Sequence, residues 1–348
     1  MRTFGTVLCV AVAGGILAAQ GPTPANRTLT AVEGLKVGHV TLAARPTGCT
    51  VVLAEQGAVA AVDVRGGAPG TRETDLLDPV NMVQQVHAIV LAGGSAFGLD
   101  AASGTVKYLE ERGIGFDVRI AKVPIVPAAI LFDLGFGGDA KIRPTADCGY
   151  KAAAAATSDP VQEGNVGAGA GATVGKMGGP GRATKAGIGS SAIVMADGLV
   201  VAALVAVNAV GDIVDPATGQ VLAGVRTEDG KRFADARTIV RRGELVINEH
   251  PIENTTIGVV ATNARLTKVQ AKKIAQMAHD GYARAIAPVH LPDDGDTIFS
   301  MATGRWEGTV NLSRLGALAA DVMARAIVRA ATEARGLGGL PSSRDLRE

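Results

Sequence analysis

Residues 254–263 read Asn254-Thr255-Thr256-Ile257-Gly258-Val259-Val260-Ala261-Thr262-Asn263. This uncharged, β-branched run predicts one buried strand, the kind that sits inside a layered domain. His250, Pro251 and Asn254 ahead of it read as loop. A threonine at the mouth of a strand is ordinary, and on this stretch alone that structural reading is favoured. An Asn-Thr junction there has a second reading. The Thr255 hydroxyl attacks the Asn254 carbonyl, the acyl group moves from nitrogen to oxygen, and water cuts the chain. Thr255 then carries a free α-amine, with an unperturbed pKa of about 7.7–8.0, suited to act as a general base beside its own hydroxyl.

Nothing in the chain suggests more than one domain. Its 348 residues show no repeat and no hinge-like linker, so residues 22–348 are expected to form one α/β domain. The net charge of +1, without a basic run, argues against nucleic acid as a partner. Cys9, Cys49 and Cys148 form no CxxC or Cys/His cluster, so neither a zinc site nor any other metal is expected. The five scattered histidines, His39, His87, His250, His279 and His290, read as structural or surface groups. At the start, Arg2 precedes an apolar run from Thr6 to Ala19, followed by Gln20-Gly21-Pro22. This pattern predicts a signal peptide over residues 1–21 and a periplasmic or secreted protein; without it the protein would be cytoplasmic. Export would leave Cys49 and Cys148 in an oxidising space, and their pairing stays open.

Apolar periodicity predicts the remaining elements. Short strands are expected at 35–40, 50–54 and 58–64, and a helix over 71–85 with Leu76, Val80, Met82 and Val83 on one face. A buried strand at 87–92 leads through Gly93-Gly94-Ser95 into a helix over 99–112. That step lacks the second glycine of a nucleophile elbow, because Phe97 stands there, so Ser95 reads as a helix cap or a substrate-side hydroxyl. A proline-bearing strand over 124–134 suits an edge or cleft, and 147–157 reads as an Ala-rich helix. Asp197-Gly198 joins two strands, at 192–195 and 200–207, as a tight hairpin. Residues 211–250 read as exposed. A helix over 266–286, with Val269, Ile274, Met277 and Ala278 inward, is followed by a turn at 293–296 and a strand at 297–301. A long helix over 312–335 precedes a final dozen residues that read as frayed.

A nucleophile at position 255 needs helpers, and the chain offers several. Lys185 lies in an apolar, Gly-rich stretch, where burial disfavours its charge and suits it to accept a proton. Asn208 ends an apolar strand and has an amide to offer an oxyanion. Asp294 and Asp296, two residues apart, can hold a lysine or a new amine. Each also has a plainer role: a turn lysine, a turn former, acidic loop residues. Gly164 to Lys176 contains Gly167, Gly169 and Ala172 at dinucleotide-fingerprint spacing, but without the flanking βαβ unit it reads as a tight backbone loop.

Taken together these segments resemble the self-processing L-aminopeptidase/D-esterase family, which includes β-aminopeptidases and nylon-oligomer endohydrolases. The resemblance runs in order over residues 30–304. It covers Gly34-Leu35-Lys36-Val37-Gly38-His39, Gly93-Gly94-Ser95-Ala96-Phe97-Gly98-Leu99-Asp100, Pro124-Ile125-Val126-Pro127, Glu163 to Lys176, Asn254-Thr255-Thr256 and Asp294-Gly295-Asp296-Thr297-Ile298-Phe299. It implies a four-layer α/β/β/α sandwich of N-terminal-nucleophile type, cut between Asn254 and Thr255 into fragments 22–254 and 255–348. It further implies Thr255 as nucleophile, Lys185 and Asn208 as catalytic lysine and oxyanion asparagine, and Asp294 and Asp296 as the supporting acids. Tyr150 aligns more loosely with a substrate-side tyrosine. Small peptides, amino-acid amides or β- and ω-amino-acid oligomers are the implied substrates, with no cofactor and with tetramers or octamers of the cut unit. Thr in place of the Ser of several aminopeptidase members leaves the substrate open. An acyltransferase of the ornithine-acetyltransferase type and a nucleotide-binding protein using Gly167–Gly175 are the rival readings.

Overall fold

The structure, a computed structural model, describes Met1, residues 26–244 and residues 254–346. The signal-peptide reading and the loop at His250 and Pro251 lie outside the described residues. Nine strands form the main sheet: β1 (Lys36–Thr41), β2 (Gly48–Val64), β3 (Thr71–Arg72), β4 (Gln85–Ala92), β5 (Ala128–Ile130), β6 (Ile188–Val194), β7 (Val200–Asn208), β8 (Thr255–Ala264) and β9 (Thr297–Trp306). Four long helices cover it: α1 (Ala101–Glu110), α2 (Ala146–Ala154), α3 (Lys268–Ala285) and α4 (Leu312–Thr332). The strand order is β6-β7-β8-β9-β2-β4-β5-β3, with β1 paired to β2.

The sandwich is made by one strand that serves two layers. Segments 50–54 and 58–64, expected as separate strands, are halves of β2. Its register with β4 shifts between Leu53 and Ala58, where Gly57 has φ 81°, a left-handed conformation open to glycine. The later half, Val59–Val64, pairs with β9 instead. Alternate side chains then sort into three cores. Val52, Ala54, Ala58, Ala60 and Val62 face a central core shared with Leu204, Ala206, Val259, Phe299 and Met301. Val51 and Leu53 face α1 and α2. Val205, Val207, Val260 and Ile298 face α3 and α4. The result is helices, sheet, sheet, helices.

With few aromatics, close backbone approach fills these layers. A Cβ on Gly104 would lie 1.7 Å from Ala146 O, and one on Gly149 1.7 Å from Ala101 O, so α1 and α2 touch backbone to backbone. Cys148 of α2 is disulfide-bonded to Cys49 of β2.

Several expectations are corrected. No α-helix spans 71–85: there is only a 3₁₀ turn, Asp75–Leu77, and Val80 and Met82 are exposed. Pro79 drives Asp78 to an extended ψ of 133° and offers no N–H. The freed carbonyls of Leu76, Asp78 and Asn81 are taken by Lys268 Nζ at 3.1, 2.6 and 2.9 Å. Gly94, not Ser95, occupies the N-cap place of the turn before α1. Val269 is exposed: it precedes Ile274 by five residues, about 140° around α3. Within 211–225 only the turn at 215–220 is exposed, because Asp212–Val214 pairs with Val221–Ala223 and Ile286–Ala287, and Ile213 and Ala223 enter the core. Residues 340–346 are docked rather than frayed, with Ser342 and Ser343 buried.

Candidate active site

Strand pairing brings the sequence-distant candidates together. β7 runs antiparallel to β8, and Asn208 is the register partner of Thr255. β9 runs parallel to β8 and starts beside it, with Ile257 opposite Thr297. The Asp294-Gly295-Asp296 turn that feeds β9 therefore arrives at the same end as Thr255. A Cβ on Gly295 would stand 2.6 Å from Thr255 Oγ1, so only glycine lets this turn sit against the hydroxyl.

Thr255 is buried, and its hydroxyl donates to the carbonyl oxygen of Asn254, the acyl side of its own peptide bond. Asp296 Oδ1 accepts from Thr256 N at 2.8 Å. Asp296 Oδ2 takes His290 N at 3.2 Å and His290 Nδ1 at 2.8 Å. Asp294 Oδ2 accepts from Leu291 N at 3.2 Å. Among the described residues, three buried polar atoms beside the junction have no protein partner: Asn254 Oδ1, Thr256 Oγ1 and Asp294 Oδ1. Such atoms are uncommon in folded interiors, and three at one peptide bond mark it out.

Across the strand pair, Asn208 Nδ2 donates to Phe132 O at 2.8 Å. Its Oδ1 accepts from Thr173 N at 3.0 Å and from Lys176 Nζ at 2.9 Å, and the same ammonium reaches Asn208 O at 3.1 Å. Burial, and next the neighbouring Asp296 carboxylate, push the Asp294 carboxyl up to about 7, with Lys176 among the opposing influences. Lys176 thus stands between the asparagine and the acid pair.

The raised Asp294 carboxyl has a consequence for stability. Between about pH 4 and 7 the folded chain keeps this proton while the unfolded chain has lost it. Stability is therefore fully present below the unfolded pKa and falls as pH rises through that window, by about 1.4 kcal/mol per pH unit. Asp294→Asn, made in an uncut background and unfolded in urea, should lack that slope. An unchanged slope would mean that Asp294 ionises normally in the fold.

The model of peptidase family S58 matches residues 27–344. The chain belongs to peptidase family S58. An uncharacterized aminopeptidase of Mycobacterium tuberculosis (strain ATCC 25618 / H37Rv) is 43% identical over 349 aligned positions, covering 92% of this chain and 97% of the relative. The 6-aminohexanoate-oligomer endohydrolase of Kocuria sp. (strain KY2) is 31% identical over 313 positions, 86% of this chain and 84% of that one. Among solved structures, a Burkholderia sp. beta-aminopeptidase superposes with a TM-score of 0.69 at 22% identity, covering 95% of this chain and 94% of its own. The L-aminopeptidase D-Ala-esterase/amidase of Ochrobactrum anthropi, described as a variant of the Ntn hydrolase fold, gives 0.67 at 21% identity, covering 93% and 91%. These two likenesses bear out the N-terminal-nucleophile fold, and family membership makes the protein an amide-bond hydrolase.

In this S58 chain the structure does not bring every sequence candidate to Thr255. Lys185 is fully buried, and its ammonium donates to Gly169 O at 3.3 Å, to Ala172 O at 2.8 Å and to Ala186 O. All three protons are thus used within the Gly-rich loop and its partner strand, none on Thr255, Asn208 or the acids. Burial pushes this lysine down to about 7, with the Asp133 carboxylate opposing. Tyr150 lies in the α1–α2 layer, where its hydroxyl donates to Glu111 at 2.7 Å and its ring meets Tyr108 edge-on. None of these contacts reaches the Thr255 cluster.

Residues that sequence reasoning missed stand there instead. Lys176 was visible only as the end of the Gly-rich segment. His290 was set aside as structural, yet it holds Asp296 and stacks on Tyr282, whose hydroxyl donates to Thr256 O at 3.3 Å. The Gly-rich loop itself is filled by protein. A Cβ on Gly169 would meet Ile188 N at 2.3 Å, and one on Gly171 would meet Pro46 O at 2.5 Å, so backbone occupies the space a pyrophosphate would need.

Proposed function

We propose that this chain cuts itself between Asn254 and Thr255 and that Thr255 then hydrolyses small amides. The observation that carries this reading is the Thr255 hydroxyl set against the Asn254 carbonyl, with Gly295 against its other side. In processing, Oγ1 bonds to the Asn254 carbonyl carbon, the C–N bond breaks, and nitrogen takes the proton. Water then hydrolyses the ester, leaving an Asn254 carboxylate and a Thr255 amine. In turnover that amine takes the proton of Oγ1 as it adds to a substrate carbonyl and passes it to the leaving nitrogen as the substrate C–N bond breaks; water then hydrolyses the acyl ester, releasing the acid and restoring the Thr255 hydroxyl. The Asn208 amide and the Lys176 ammonium are the oxyanion donors, and Asp296 holds the strand start through Thr256 N. The names of the relatives suggest amino-terminal amino-acid amides and ω-amino-acid oligomers as the first substrates to try.

Lys176, rather than Lys185, fills the lysine role in this scheme, and Lys185 braces the Gly-rich loop. Lys176→Ala should lower kcat by roughly 10²–10³-fold. Lys185→Met, assayed on the cleaved and folded form, should act mainly on melting temperature. The reverse pattern would return the role to Lys185. We further propose that the cut units assemble into tetramers or octamers and that the protein is exported after removal of residues 1–21. Light scattering of the purified enzyme and the N-terminus of secreted material test them.

A further inference from the structure

The docked C-terminal tail lies against a cavity that contains the candidate oxyanion residues. That cavity, about 50 Å³ in the uncut chain, is lined by Asn208, Lys176, Thr173 and Asp133 together with Phe136 and Leu340. Its lining mixes polar groups with apolar side chains, the composition of a small-molecule site. Among the described residues Leu340 is the tail's contribution, and the fold holds it firmly. Leu337 and Leu340 exchange backbone hydrogen bonds of 3.0 and 3.1 Å around Gly338 and Gly339, whose φ values of 59° and 80° suit glycine. Gly338 packs on the Phe136 ring, where a Cβ would come within 2.8 Å. Pro341 O accepts from Lys185 N at 2.8 Å, and Ser342 bridges Lys185 in parallel. The Ser343 hydroxyl donates to Leu222 O, and Asp345 accepts from Ser342 N at 2.7 Å and Oγ at 2.9 Å.

We propose that Leu340, with Phe136, is the specificity wall of this hydrolase and limits the acyl-side substituent of the substrate to a small aliphatic group. The assignment rests on the hydrolase reading above. A carbonyl held by Asn208 and Lys176 places its substituent in the same cavity that Phe136 and Leu340 line. A cavity of this size suits a small group, since an engineered apolar cavity of about 150 Å³ is what it takes to bind benzene. Lys185 meets the wall twice, through its backbone N–H to Pro341 O and through its ammonium, 5.8 Å from the centre of the Phe136 ring. That gives a fully buried lysine a role distinct from proton transfer.

The test measures kcat and KM of wild type, Leu340→Ala and Leu340→Trp, each in its cleaved form, on the p-nitroanilides of glycine, alanine and leucine. Melting temperatures confirm that each variant is folded. Leu340→Ala should raise kcat/KM for the leucine anilide relative to the alanine anilide by about 10-fold, mainly through KM. Leu340→Trp should lower the alanine and leucine substrates at least about 10-fold more than the glycine one. Equal scaling of all three substrates in both variants would overturn the specificity wall while leaving the hydrolase reading intact. Wild type inert on every anilide and on ω-amino-acid oligomers would instead overturn the reading on which it rests.

Discussion

Thr255→Ala is expected to purify as one unbroken chain and to hydrolyse no amide above background, a loss of at least about 10⁴-fold in kcat. One oxygen has two uses. Removing Oγ1 removes the atom set against the Asn254 carbonyl, so the N-to-O shift has no nucleophile. It also removes the nucleophile of turnover, and because the chain stays uncut no free amine appears to serve as base. The space left is small, since Gly295 already closes on the hydroxyl, so the strand pairing of Thr255 with Asn208 should persist and the variant should melt cooperatively. Thr255→Ser keeps an oxygen there and should still cut itself. Intact chain from Thr255→Ala by mass spectrometry, with amide turnover within a few-fold of wild type, would remove Thr255 from the mechanism.

Asp133→Ala should cost about 3–5 kcal/mol of unfolding free energy, a large part of the 5–15 kcal/mol typical of a folded domain. Asp133 and Arg45 form an ion pair with both side chains at 0% exposure, Nη2 to Oδ1 at 2.9 Å. The same carboxylate accepts from the Thr47 hydroxyl at 2.6 Å and from Gly94 N at 2.9 Å. The Arg45 guanidinium is otherwise held by Asp133 O, by Phe136 O at 3.2 Å and by Ile142 O at 2.7 Å. Losing the carboxylate leaves a buried positive charge facing carbonyl oxygens alone, with the Lys185 ammonium nearby. The damage should also reach the site, because residues 132–136 supply Phe132 O to Asn208 and the Phe136 ring to the cavity. Urea unfolding in the uncut Thr255→Ala background keeps the transition unimolecular. A loss below about 1 kcal/mol would mean that the pair is solvated or replaceable.

The parts legible in the sequence were those fixed by local pattern. The β8 run, the Asp197-Gly198 hairpin and the strand ending at Asn208 follow from alternation and turn chemistry, so the meeting of Asn208, Thr255 and the Asp294–Asp296 turn was within reach. The lysine was not. Lys176 and Lys185 both sit among glycines and apolar residues, and their fates are decided by pairing of Thr173–Val174 with Thr184–Lys185. That pairing is two residues long and leaves no periodic signal. It turns Lys185 into the loop and leaves Lys176 on Asn208. Residues 71–85 carried a helix-like spacing that one proline cancelled. The tail carried serines and glycines that read as loose chain, because hydrogen bonds to Leu222 and Lys185, more than a hundred residues away, cannot be read locally. His290 had no local mark beyond standing six residues before Asp296.

The most direct measurement is the intact mass of the purified wild-type protein under denaturing conditions, with sequencing of the N-terminus of the smaller species. Two fragments are predicted, one of them beginning at Thr255. A single unbroken chain that nevertheless hydrolyses amides would contradict the account, because Thr255 would then have no free amine and the junction would be an ordinary strand start.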